Sequence, residues 1–216
     1  MNDRSGHKRS TREASALLPP SVHADGARRR VLEGAVRLFA TQGFHGSSMR
    51  ELAQIVELQP SALYVHFPSK EHVLAELVRA GHEAHHHAIR SAMLEAGADP
   101  LLQLRALVTV HVRLHATYPH LAIVVNREMD ALSSELAAPG RALRDQSSAL
   151  LVDVIERGVA MKRFAPPHVY VAAAAIGAMG LRVPHWYSAE TGIGLDDLVE
   201  HHVEIALRIV GAKRAR

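Results

Sequence analysis

The stretch Leu63-Tyr64-Val65-His66-Phe67-Pro68-Ser69-Lys70-Glu71 decides how this chain of 216 residues folds. Leu63 and Phe67 are one helical turn apart, which predicts a short helix that turns both side chains towards the core. Pro68 ends that helix, because proline lacks an N–H and restricts the residue before it. Ser69 is then placed to cap a new helix. The stretch therefore predicts two consecutive helices with a sharp boundary between them.

Two further helices are predicted upstream of this stretch. Apolar residues recur at helical spacing over 31–39, and Gly43 followed by Phe44 is typical of a Schellman-type helix end. Ser48 and Glu51 have the spacing of a capping box, which begins the next helix. Short helices on either side of a tight turn predict a helix-turn-helix. Composition alone leaves an ordinary helical hairpin open.

Charge is distributed unevenly along the chain. The formal net charge is +3, with +1 on residues 1–25, +3 on residues 26–70 and −1 on residues 71–216. A basic segment ahead of a near-neutral body is the distribution expected of a nucleic-acid-binding head. Residues 1–25 show no apolar periodicity and are predicted to form a disordered basic arm.

Beyond residue 70 the pattern is helical throughout, with breaks at clusters of glycine and proline such as Pro139-Gly140. Strand-like alternation is lacking, so the predicted fold class is all-α, with a three-helix head and about nine helices in total. The helices of the body are predicted at about 69–95, 100–117, 119–132, 139–162, 167–187 and 195–211.

Composition excludes several classes of protein. The chain has no cysteine, which rules out disulfides, thiolate nucleophiles and zinc sites built on cysteine. The longest apolar run, 169–181, would span about 20 Å as a helix, against roughly 30 Å of bilayer hydrocarbon. We therefore expect a soluble, cytoplasmic protein without a cofactor.

Three segments together resemble the DNA-binding head of the tetracycline-repressor (TetR) family of transcriptional regulators. They are Phe-Ala-Thr-Gln-Gly-Phe at 39–44, Ser48 with Leu52-Ala53, and the stretch 63–71. The resemblance implies a DNA-binding domain over 26–70 and an effector-binding and dimerisation domain over 71–216. It implies a homodimeric, ligand-responsive regulator of a palindromic operator, in most relatives a repressor.

The resemblance and the local chemistry assign one set of residues to DNA. Tyr64 and His66 occupy positions that donate to phosphate in the family, and Gln59 and Ser61 suit contacts to base edges. The arginines either follow the DNA backbone or minor groove, or form a solvated helix start. The full set is Arg28, Arg29, Arg30, Ser48, Gln59, Ser61, Ala62, Tyr64, Val65, His66 and Lys70.

Two positions depart from the family pattern. The family usually has glycine in the turn of the helix-turn-helix, where this chain has Glu57. A side chain on a left-handed backbone costs about 1–2 kcal/mol, and a carboxylate there opposes DNA phosphates. Val65 stands where many relatives carry a larger polar residue, which favours readout through methyl contacts and DNA shape.

The last two helices are predicted to form the dimer interface, as the resemblance implies. Residues 169–181 are apolar on nearly all sides, and the final helix has an apolar stripe. The interface residues predicted are Ala172, Ala175, Met179, Leu198, His202, Ile205 and Ile209. A monomer core is the other interpretation of the same pattern.

Polar residues inside apolar helices are the candidates for an effector pocket, although each can also have a structural role. The candidates are His111, His115, Tyr118, Asn126, Arg182 and Trp186. The segment 182–187 also resembles the C-terminal part of TetR-family regulators of fatty-acid and steroid breakdown. Several of those respond to acyl-CoA thioesters, which implies a small apolar or acyl-CoA-like effector.

The sixteen histidines raise an alternative function. His82 and His86 have the i, i+4 spacing that places two imidazoles on one metal, and so do His111 and His115, so a metal-responsive regulator that uses the His-rich linking helix is a second hypothesis. A solvated helix face explains the same cluster. A helical-bundle metalloenzyme is a remote third, because it needs paired Glu-x-x-His motifs and a second copy is lacking. We expect that the protein is not an enzyme.

Overall fold

The computed structural model describes residues 16–22, 24 and 26–212, and these form nine α-helices joined by short connections. The described part contains no β-strand, which confirms the all-α prediction. None of its helices is long and apolar enough to cross a membrane. The helices are α1 (Gly26–Gln42), α2 (Met49–Ile55), α3 (Pro60–His66), α4 (Lys70–Glu95), α5 (Pro100–Thr117), α6 (Pro119–Arg127), α7 (Ser134–Ala160), α8 (Val169–Arg182) and α9 (Leu195–Ile209).

Local capping shapes the three-helix head as predicted. Ser48 accepts the backbone N–H of Glu51 at 3.2 Å and begins α2. The rings of Phe39 and Phe44 meet edge to face at 5.8 Å, and Gly43 between them has φ +76°. Glu57 has φ 55° in the turn between α2 and α3. The turn therefore keeps the left-handed backbone that glycine usually supplies.

The head does not have a core of its own. Its buried residues, such as Leu52 and Leu63, are continuous with Leu77 and Val78 of α4 and with Val124 of α6. A second apolar cluster lies between the distal half of α4 and helices α5, α7, α8 and α9. The division of hydrophobic packing thus falls within α4, and not at residue 70.

Two predictions about chain boundaries were wrong. Helix α7 begins at Ser134 and continues through Pro139 and Gly140, where a break was predicted. The helix tolerates Pro139 because this residue is exposed and lies near the helix start. Gly140 is a close-approach site, where a Cβ would overlap Val78 of α4. The basic arm does not extend to residue 25, since Leu18 and Val22 are buried. Residues 1–15, 23 and 25 of the predicted arm lie outside the described residues.

Candidate DNA-binding surface and effector cavity

Helix α3 presents one exposed face. Leu63 and Phe67 are buried beneath it and fix its position on the head. Tyr64 is 52% exposed and Val65 is 83% exposed, although both carry large apolar groups. The other predicted contact residues on this element are exposed or half-buried, namely Gln59, Ser61, Ala62 and His66. Together these six residues form what we call the α3 face.

The three arginines at the start of α1 have different environments. Arg28 lies over the Phe67 ring at 4.5 Å, donates to the His66 carbonyl at 3.3 Å and pairs with Glu76 at 3.5 Å. Its guanidinium is held by α3 and α4 although its side chain is 38% exposed, so a contact of Arg28 with DNA stays a prediction. Its position ties α3 to the long helix.

Arg29 is held by partners on a different segment. Its guanidinium donates to the carbonyls of Val22 at 3.0 Å and Leu18 at 3.4 Å, and to Glu33 at 3.0 Å. It therefore fastens residues 16–22 to α1, and its predicted contact with DNA stays a prediction. Arg30 is exposed and keeps its predicted role as a candidate.

Lys70 was predicted to offer its charge to phosphate, and the structure gives it a different task. Its ammonium donates to the carbonyls of Phe44 and Ser47, both at 2.6 Å, and lies 4.3 Å from the centre of the Phe44 ring. Burial lowers the pKa of Lys70, partly opposed by Glu51. Lys70 therefore closes the α1–α2 turn. The Ser48 hydroxyl is likewise engaged, because it donates to the Glu51 carboxylate at 2.7 Å.

A cavity of about 170 Å³ lies inside the body, between helices α4, α5, α6, α7 and α8. Pro19 of the segment 16–22 forms part of its wall. Four of the six predicted effector residues line it, namely His111, His115, Tyr118 and Asn126. The remaining wall is mostly apolar, and includes Leu107, Leu121, Val125, Leu151 and Ile176.

Arg182 and Trp186 were predicted in this cavity and lie elsewhere. Both line a surface groove formed by α8, α9 and the connection between them. Trp186 stacks on His202 with 6.4 Å between ring centres and an interplanar angle of 11°. The error arises because the sequence shows that these side chains follow an apolar helix but not which side of it they face.

The cavity brings together histidines that the sequence placed on separate helices. His85 of α4 contacts His111 of α5, with 2.9 Å between Nε2 and Nδ1, and His115 lies beside them. Burial lowers the pKa of all three, that of His115 to about 3; His111 further lowers the pKa of both His85 and His115, whereas the Gly177 carbonyl partly opposes the shift at His111. The rings are therefore neutral at neutral pH. His85 was missed because the i, i+4 rule compares residues within one helix only.

The structure does not favour the predicted metal pair of His82 and His86. Among the described residues, the group of three or more potential ligands close enough to share an ion is His85, His111 and His115. His82 is buried with no hydrogen-bond partner for Nε2, and burial together with Arg144 lowers its pKa to about 4. His86 points to α7, where its Nδ1 lies 3.2 Å from the Ser147 hydroxyl.

The predicted interface residues divide into two groups. Ala175 and Ile205 are exposed, and Met179 and Ile209 are half-buried. Leu198 and His202 form the floor of the groove between α8 and α9. Ala172 is only 4% exposed and packs in the core of its own chain, so its inclusion was wrong. The exposed Trp186 and Ile193 border the same groove and were not predicted to be part of an interface.

A helix-turn-helix head with an exposed third helix, joined by one long helix to a body with an internal cavity, defines a class of one-component regulators. Residues 31–77 match the family model of bacterial regulatory proteins of the tetR family. Residues 97–210, more than half of the chain, match the model of the tetracyclin repressor-like C-terminal domain. The chain belongs to the TetR family.

Individual relatives agree with this family. The transcriptional repressor KstR2 of Rhodococcus jostii is 24% identical over 84% of this chain and 90% of that protein. The structure of a tetR-family regulatory protein from Rhodococcus RHA1 is 29% identical, covers 88% of this chain and 100% of its own, and has a TM-score of 0.83. The structure of AibR in complex with isovaleryl coenzyme A and operator DNA is 21% identical to this chain, and the alignment covers 87% of this chain and 100% of AibR, with a TM-score of 0.78. The first curated relatives, from Pseudomonas putida, match over only 40% of their length.

Proposed function

We propose that this chain is a sequence-specific DNA-binding repressor that acts as a homodimer and is released from its operator by a small effector. The observation that carries the proposal is the exposed α3 face, held on a buried base and connected through α4 and α6 to a helical body that contains a cavity. Residues 26–70 supply the DNA contacts in this proposal, and residues 71–216 supply effector binding and dimerisation.

The α3 face is suited to the major groove. Gln59 and Ser61 lie at the start of α3 and are exposed, which suits them to hydrogen bonds with base edges. Tyr64 offers a phenol O–H to phosphate, and Val65 offers methyl groups to thymine. Arg30, which is exposed near the start of α1, supplies positive charge to the head. Arg28, Arg29 and Lys70 act indirectly in this proposal, because they fix the helices that present it.

DNA binding is tested by fluorescence anisotropy with the DNA upstream of the gene. Tyr64→Ala is expected to weaken binding at least tenfold, and affinity of the unaltered protein should fall steeply as salt rises. Met161→Ala is the matched control, because Met161 is 59% exposed at the end of α7, outside both the head and the proposed dimer interface. Equal affinity of both variants, or equal binding to unrelated DNA, would contradict the proposal.

The homodimer is proposed to form through α8 and α9. Ile205 and Trp186 are 41% and 47% exposed, and a contiguous apolar groove of this kind is typical of an interaction surface. Two-fold symmetry also suits a palindromic operator. Ile205→Arg is expected to give a monomer by light scattering after gel filtration. Leu94→Arg, at a residue 77% exposed at the end of α4, should leave the dimer intact.

The effector is proposed to be a short acyl group carried as a coenzyme A thioester. The cavity of about 170 Å³ is slightly larger than an apolar cavity of about 150 Å³ that holds a benzene molecule, which suits a short branched chain. Arg144 and Ser148 line the same cavity from α7 and offer polar contacts to the remainder of the ligand. The complex of AibR with isovaleryl coenzyme A supports this class of ligand.

Thermal shift measurements test the effector. At a concentration 100 times Kd a ligand stabilises by about 2.7 kcal/mol, which raises Tm by about 5–10 °C for a chain of this size. Isovaleryl coenzyme A is expected to produce such a shift and to release operator DNA, whereas coenzyme A alone should do neither. The effector assignment fails if no acyl-CoA of any chain length shifts Tm.

Coupling between cavity and head is proposed to run through α4 and α6. The cavity contacts Gly81 and His82 on α4 and Val125 on α6, whereas Arg127 at the end of α6 donates to the Phe39 carbonyl of α1 at 2.9 Å. An effector that favours one arrangement of these helices shifts the population away from the spacing that fits DNA.

A further inference from the structure

The three histidines in the cavity form a compact cluster that the regulatory function leaves without a task. His85 belongs to α4, and His111 and His115 belong to α5. Their ring centres are 4.5–5.6 Å apart, and one nitrogen of each lies within 4.8 Å of those of the other two. We call these residues the histidine triad. All three rings line the cavity.

Hydrogen bonds to backbone carbonyls fix which nitrogens of the triad are free. His111 Nε2 lies 3.0 Å from the Gly177 carbonyl, and His115 Nδ1 lies 2.7 Å from the His111 carbonyl. A carbonyl only accepts, so each of these nitrogens carries the proton. In a neutral ring the other nitrogen then has a free lone pair, which leaves His111 Nδ1 and His115 Nε2 as acceptors.

This pattern is the one that a metal-binding histidine requires. Ligating imidazoles usually donate their second N–H to a carbonyl or carboxylate, which orients the ring and raises its basicity. His111 has a further constraint, because Gly180 of α8 lies so close that a Cβ there would overlap the imidazole. The ring of His111 is thus held in place from α8 before any ion binds.

We propose that His85, His111 and His115 bind one divalent transition-metal ion, through Nε2, Nδ1 and Nε2 respectively, with an open coordination position that faces the cavity. His85 now donates to His111 Nδ1, and its proton moves to its own Nδ1 when the ion replaces that hydrogen bond. The three rings stay neutral, so binding leaves the triad with the full charge of the ion.

The chemistry of the donor set restricts the ion. Three imidazoles suit Zn²⁺, Co²⁺, Ni²⁺ and Cu²⁺, and they do not suit Mg²⁺ or Ca²⁺, which prefer oxygen. With Zn–N bonds of about 2.0–2.1 Å, ligand nitrogens in a tetrahedral site are about 3.3 Å apart. His85 Nε2 and His111 Nδ1 are 2.9 Å apart, and one nitrogen of each of the three rings lies within 4.8 Å of the other two, so the rings already lie near the spacing that one ion requires. Three protein ligands and an open position are the arrangement of sites that bind an external ligand.

Cobalt titration of the full-length protein tests the site without DNA or effector. After treatment with a chelator, Co²⁺ is expected to give a visible absorption band typical of a tetrahedral site, saturating at one ion per chain and abolished by Zn²⁺. His115→Gln and His85→Gln are each expected to weaken Co²⁺ binding at least tenfold. His86→Gln is the matched control, since it removes a neighbouring histidine of α4 that faces Ser147, and its band should not change.

Three results would overturn the assignment. They are no saturable cobalt band, a band that persists unchanged in both His115→Gln and His85→Gln, and loss of the band in His86→Gln. Circular dichroism of each variant excludes loss of folding as the cause. Operator binding is measured separately on the chelator-treated protein, so failure of the metal site and failure of the DNA-binding proposal are told apart.

Discussion

Replacing Glu57 by glycine tests whether the turn of the helix-turn-helix stores strain. Its φ of 55° is unfavourable for a residue with a side chain by about 1–2 kcal/mol. Glycine relieves that strain, but its greater conformational entropy also stabilises the unfolded chain by about 0.4–1 kcal/mol. Glu57→Gly is therefore expected to raise the free energy of unfolding by about 0.5–1 kcal/mol, or Tm by about 1–4 °C.

The same substitution removes a carboxylate from the proposed DNA side. Two unit charges 10 Å apart in water interact by about 0.4 kcal/mol, so each phosphate at that distance accounts for about a twofold change in affinity. Glu57→Gln separates the two effects, because it removes the charge and keeps the side chain. It should tighten DNA binding without raising Tm.

A second left-handed residue provides the control. Lys162 has φ 56° directly after α7, far along the chain from the head. Lys162→Gly is expected to stabilise the protein as much as Glu57→Gly and to leave operator affinity unchanged. Unfolding by urea and fluorescence anisotropy measure the two quantities. If Glu57→Gly lowers Tm while Lys162→Gly raises it, the assignment of strain to the turn is refuted.

Three further predictions follow from the packing of the body and the head. Gly177→Ala should stabilise by about 0.5–1 kcal/mol, because a Cβ there meets nothing within 4 Å and glycine is a poor helix former, whereas Gly180→Ala should destabilise by overlap with an imidazole. Because His82 has a pKa of about 4 when folded, against 6.5 in its ordinary state, the unfolded chain binds the extra proton between these values. The free energy of unfolding is therefore highest above pH 6.5 and falls towards pH 4, by about 3 kcal/mol for this residue. Arg29→Ala should accelerate hydrogen exchange of the Leu18 region, because two carbonyl acceptors lose their donor.

Each of these has a result that counts against it. The glycine pair is measured by urea unfolding, and a stability loss in Gly177→Ala equal to that of Gly180→Ala would show that the spacing of α8 is not as described. For the pH prediction, His82→Leu should flatten the dependence of unfolding free energy on pH between 6.5 and 4, and an unchanged slope contradicts it. Exchange in Arg29→Ala is compared with Arg30→Ala, whose exchange near Leu18 should remain slow.

Local sequence signals predicted the head well. The capping residues, the Gly43 helix end and the buried pair Leu63 and Phe67 are all set by neighbours a few residues away, and the structure confirms them. The likeness to the TetR family is confirmed by the two family models. Glu57 was recognised as unusual because the family pattern calls for glycine, and its backbone is indeed left-handed.

Long-range contacts explain what the sequence did not predict. The sequence shows Arg28 and Lys70 only as basic residues of the head. In the folded chain Arg28 donates to a carbonyl 38 residues away along the chain, and Lys70 donates to one 26 residues away. His85 joins its partners from another helix, and Trp186 follows α8 and stacks on His202 of α9, a contact across 16 residues that the sequence does not show. Pro139 suggested a break because its cost to a helix depends on position and exposure, which require the structure.

The fastening of residues 16–22 has a practical consequence for the boundary of any shortened protein. The first helix begins at Gly26, which invites trimming there. Such a fragment would lose Pro19 from the cavity wall, expose apolar surface that Leu18 and Val22 now cover, and leave the Arg29 guanidinium without two acceptors. Binding constants measured on the trimmed and full-length proteins would then describe two different cavities. An affinity tag joined close to Ala16 carries the same risk.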